Sequence, residues 1–160
     1  MPHDLSEAIG RFGRERSRAE AEAGLLKRHA PDDPAARTLY AAAKAGFDGL
    51  IEQLLADLAQ HHSPDLSPRF RAALQTAADA RGAFSAHVSA TLRVRLPVGA
   101  KFDLLATLEA IPAALVKAVV DSGIAIWREV HQASAERRRD IATRLEAQRW
   151  KPWAEIPAAA

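Results

Sequence analysis

The sequence contains no cysteine, which excludes disulfides, thiolate metal ligands, cysteine nucleophiles and iron–sulfur clusters together. It also lacks a Gly-x-Ser-x-Gly elbow, a glycine-rich phosphate loop and a dinucleotide fingerprint, so the compact motifs of hydrolase, NTPase and Rossmann chemistry are missing. Six histidines are scattered along the chain, and the only acid one helical turn ahead of any of them is Asp57, four residues before His61. With no Glu-x-x-His pair, a di-metal carboxylate bundle is disfavoured. His61-His62 next to Ser63-Pro64 reads as a cationic helix end, and Ser85 lies on a different helix face from His87. No catalytic residue, cofactor or metal site is expected.

Long apolar runs are also scarce. Residues Ile111 to Trp127 come closest, but they number 17 and hold Lys117 and Asp121 one turn apart, short of the span of about 20 that crosses a bilayer. The segment is expected to be a core helix. No internal repeat or low-complexity linker divides the 160 residues, so a single domain, 1–160, is the expectation. The start, Met1-Pro2-His3-Asp4, has an acid where an export signal has basic residues and an apolar run, so a cytoplasmic location is expected.

What the chain has in abundance is alanine, 36 residues, with 17 arginines against five lysines. Alanine is the best helix former, and the prolines fall at segment boundaries, so the expected fold is all-α: an antiparallel bundle of about four main helices with a short non-helical C-terminal tail. The first helix, within residues 1–30, has Leu5, Ile9 and Phe12 at helical spacing, then Gly13-Arg14-Glu15-Arg16-Ser17-Arg18. It reads as peripheral, with a middle that is solvated or a helix ordered only against a partner. The bundle is placed at 34–149. Its second helix starts at Pro34 and carries Tyr40, Phe47 and Leu54 seven apart, with Ala43, Leu50, Ile51 and Leu58 between or beyond them, which is the stripe of a packed helix. A third helix starts at Ser67-Pro68 and carries Phe70, Leu74, Ala77, Phe84, Val88 and Leu92. The alternation at Leu92–Leu96 reads as a fraying helix end. Pro112 either kinks a fourth helix or begins a new one. The segment after it is apolar on most faces and reads as the central helix.

Two features suggest binding. Residues 150–160 form a Trp/Pro tail in which Trp150, Trp153 and Ile156 supply a large apolar area that needs a groove. That groove lies on the protein's own bundle or on a partner. Basic surface is the other feature, with six cations against two acids over residues 63–101 and Arg137-Arg138-Arg139 in the last helix. Consecutive helical arginines fan over about 200°, and Glu136 and Asp140 flank them, so a solvated face is the simpler reading. The expected function is a non-enzymatic protein-interaction module: an adaptor or oligomerising subunit of a bacterial signalling, regulatory or defence system, with another protein or a second copy as partner. The alternative is a nucleic-acid-binding regulator using Arg93, Arg95, Arg137, Arg138 and Arg139, and a membrane-active helical protein comes third.

Overall fold

The computed structural model describes residues 2–58, 68–96, 112–132 and 134–159. Helices make up 86% of the described residues, with no strand among them. They are α1 (Pro2–His29), α2 (Pro34–Leu58), α3 (Pro68–Arg95), α4 (Pro112–Gln132) and α5 (Ala135–Glu146), followed by a 3₁₀ turn at Trp153–Glu155. Both α2 and α3 begin on the expected prolines. Asp33 accepts from the Ala35 N–H at 3.0 Å and so caps α2, while Ser134 accepts from the Arg137 N–H to cap α5. α4 is described from Pro112, and the residues before it, on which the choice between a kink and a new helix turns, lie outside the described residues. His61, His62 and Phe102–Ile111 lie outside the described residues.

The stripes read from the sequence form the core. Tyr40, Ala43, Phe47, Leu50, Ile51 and Leu54 of α2 and Phe70, Leu74, Ala77, Phe84, Val88 and Leu92 of α3 are all buried. Tyr40 meets Phe84 edge to face, and Gly46 lies against Ala77, so the two helices run antiparallel. A Cβ on Gly46 would stand 3.0 Å from Ala77 Cα, so glycine lets the backbones approach closely. Phe70 against Trp127 and Leu74 against Gly123 continue the antiparallel order into α4.

Two expectations need correction. The middle of α1 is not solvated: Phe12, Glu15, Ala19, Glu22, Ala23 and Leu26 are all buried. Their spacing is helical, so the stripe is real, but two carboxylates interrupt it and disguise it as polar. Nor is α4 buried on every side, since it buries Val119, Ser122, Gly123, Ile126 and Trp127 and exposes Lys117 and Asp121. The centre belongs to α3, which packs on α1, α2 and α4.

Because Leu54 is fully buried, Leu54→Ala should lower unfolding stability by about 2–5 kcal/mol in urea titrations. Val119→Asp should cost at least as much by burying a charge. Val94, 80% exposed, serves as the control: Val94→Asp should unfold like the parent.

Candidate functional site

α1 and α2 touch each other little directly, and the C-terminal segment fills the seam between them. Leaving α5, the chain passes Gly13 of α1 at Gln148 and runs up the groove. Pro152, with φ −62° and ψ 151°, turns it out of helical geometry. Trp150 is buried, stacked on Phe47 with centroids 4.7 Å apart and tilted against Tyr40 at 5.6 Å. Trp153 meets Tyr40 at 5.7 Å and Lys27 Nζ at 4.9 Å, a cation–π arrangement. Ile156 is buried beyond them. The tail therefore packs on its own bundle, and Trp150, Trp153 and Ile156 come together there.

Polar groups set the register of this clasp through its backbone. The Tyr40 hydroxyl donates to Lys151 O at 2.5 Å, and burial raises its pKa well above the ordinary tyrosine value, so it remains a donor. The Lys27 ammonium donates to Trp153 O and, at 2.6 Å, to Ile156 O. Ala159 N donates to Gly24 O at 3.0 Å. Arg149 pairs with Glu146 at 2.6 Å and also with Glu52 on α2. Nothing in the sequence marked Lys27 or Tyr40 as readers of a distant carbonyl.

Behind the groove lies a buried ion network. Arg81 of α3 is fully buried. Its Nη1 and Nη2 donate to Glu22 Oε2 and Oε1 at 3.0 and 3.1 Å, and its Nε donates to Glu15 Oε2 at 3.2 Å. Arg18 approaches Glu22 at 3.5 Å, so two acids meet two cations. Burial pushes the Glu15 carboxyl above the usual range, opposed by the Arg81 charge and hydrogen bond. The network joins α1 to α3. At the far end of the bundle, His87 Nε2 lies 2.5 Å from Asp33 Oδ2, fastening α3 to the α1–α2 turn. Among the described residues no group of three or more His, Cys, Asp or Glu could hold a metal ion.

The arginines of the nucleic-acid alternative are not gathered. Arg95 forks onto Asp32 of the α1–α2 turn at 3.0 and 3.3 Å, and Arg93 is exposed in the last turn of α3. Arg137, Arg138 and Arg139 open α5, whose Arg144 reaches α1 near Gly13, roughly 24 Å down α1 from the α1–α2 turn at about 1.5 Å per residue. No described helix is long and apolar enough to cross a membrane.

Removing one member of a buried charge pair strands the other. Arg81→Met should therefore lower stability by about 3–5 kcal/mol at neutral pH, read by chemical denaturation. Glu15→Gln should be close to neutral there. The raised Glu15 pKa means that its ionised form is disfavoured in the folded state, so the parent gains on the variant as pH falls through that pKa. A Glu15→Gln loss as large as that of Arg81→Met would refute the assignment.

Trp150→Ala should cost about 3–5 kcal/mol as a large-to-small change in a buried aromatic stack, and thermal unfolding measures it. No known protein family, no curated protein and no solved structure matches the chain.

Proposed function

We propose that the chain is a non-enzymatic helical protein-interaction module, an adaptor or oligomerising subunit of a bacterial signalling, regulatory or defence system. The observation that carries this reading is the C-terminal clasp. A segment with two tryptophans and one 3₁₀ turn lies in a groove and is read mainly through its backbone carbonyls, by Lys27 and Tyr40. Backbone hydrogen bonds combined with aromatic anchors are how folded domains hold extended peptides. In this molecule the arrangement is intramolecular. A partner acts by reinforcing or displacing the clasp, and the exposed Lys151, Pro152, Ala154 and Glu155 are where it touches first.

A photo-crosslinking residue at Ala154, introduced into the full chain in its native cells, should give one discrete covalent adduct, either with another protein or at twice the chain's mass. Trp153→Ala in the same chain should weaken that adduct. A diffuse smear, or no adduct while the protein is folded and abundant, would refute the interaction reading.

A further inference from the structure

Where α5 gives way to the clasp, a concavity of about 560 Å³ opens against the N-terminal half of α1. Its walls carry three guanidinium groups, those of Arg14, Arg16 and Arg144, and no acidic side chain lines it. Three cationic side chains on one hollow, with no carboxylate in its lining, make a local positive potential that attracts an anion. The helix is shaped for this at some cost, since a glycine in a helix interior is about 1 kcal/mol less favourable than alanine, and the floor holds both Gly10 and Gly13. Gly13 gives room to the Gln148 side chain, whose Oε1 lies 2.9 Å from where a Cβ would stand. Over Gly10 lies Arg14, with Nη1 3.6 Å from that glycine's Cβ position. Arg16 is fixed by its donation to Ala147 O at 3.1 Å. Arg144 enters from the opposite wall, with Asp140 4.0 Å away on an exposed side.

We propose that this concavity binds a phosphate group. Guanidinium forks match the oxygens of phosphate and are more weakly hydrated than ammonium. The volume falls in the range of small-ligand sites and leaves room for a moiety beyond the phosphate. Because α1 supplies one wall and the exit from α5 the other, a ligand touching both binds only when the C-terminal segment is seated. By linkage it holds the clasp closed. This inference is independent of any protein partner.

Inorganic pyrophosphate is the probe, titrated into the full chain at an ionic strength held constant with chloride. The melting temperature should rise and saturate, and amide exchange across 150–156 should slow. Arg14→Gln with Arg144→Gln should weaken the response by about tenfold or more, the loss expected for charge-assisted hydrogen bonds. If the double variant melts early without ligand, Arg14→Gln alone makes the comparison, since Arg14 is exposed and removing it leaves the clasp contacts intact. Binding to phosphatidylglycerol but not phosphatidylcholine vesicles, competed by pyrophosphate, assigns the phosphate to a lipid head group. A pyrophosphate response without vesicle binding assigns it to a soluble molecule. No saturable rise, an equal rise in the variants, or capture of a duplex oligonucleotide with no response to pyrophosphate overturns the site. Unchanged exchange across 150–156 on binding overturns its link to the clasp.

Discussion

The contact of Arg81 with Glu15 and Glu22 is the interaction on which the rest of the architecture depends. A guanidinium with no exposed surface is tolerated only when its donors are matched, and here both Glu22 oxygens and one Glu15 oxygen accept from it. The matching sets the rotation of α1 about its own axis, because both acids must face α3. Once α1 is turned that way, Phe12 meets Phe47, Lys27 faces the tail, and Arg14 and Arg16 reach the side of α1 that α5 approaches.

That rotation also explains the seam. α1 packs mainly on α4 and leaves an aromatic groove beside α2, floored by Tyr40 and Phe47. A helix pressed into the groove would satisfy its own carbonyls, leaving Lys27 and Tyr40 without acceptors. The tail carries no α-helical ladder beyond its single 3₁₀ turn at Trp153–Glu155, so Lys151 O, Trp153 O and Ile156 O are available to Tyr40 and Lys27. The segment is held at both ends, by Arg149 on Glu52 and Glu146 and by Ala159 on Gly24, with the tryptophans between.

Electrostatics divides the molecule into two ends. At the α1–α2 turn, Asp32 and Asp33 are answered by Arg95 and His87, and those contacts hold both carboxyls below the ordinary range. Along the N-terminal half of α1, by contrast, Arg14 and Arg16 line a hollow together with Arg144 of α5. A surface with balanced pairs at one end and convergent like charges at the other is suited to holding an anion where the clasp begins.

How legible was this in the sequence? The α2 and α3 stripes and the proline starts were readable because each rests on local rules of spacing and dihedral angle. The need of Trp150, Trp153 and Ile156 for a groove was equally legible, since buried apolar area is a property of composition. The α1 stripe was missed because Glu15 and Glu22 occupy core positions, and a carboxylate is a core residue only if its counter-charge is known. That charge is Arg81, 59 residues from Glu22, on a different helix. The sequence by itself determined that the chain is helical and which faces of α2 and α3 are apolar, because those follow from neighbours within a few residues. Only the tertiary structure decided that the tail closes on its own bundle and that Lys27 and Tyr40 receive it. It alone brought Arg14, Arg16 and Arg144 to one hollow, because contacts across more than a hundred residues depend on how helices rotate and pack.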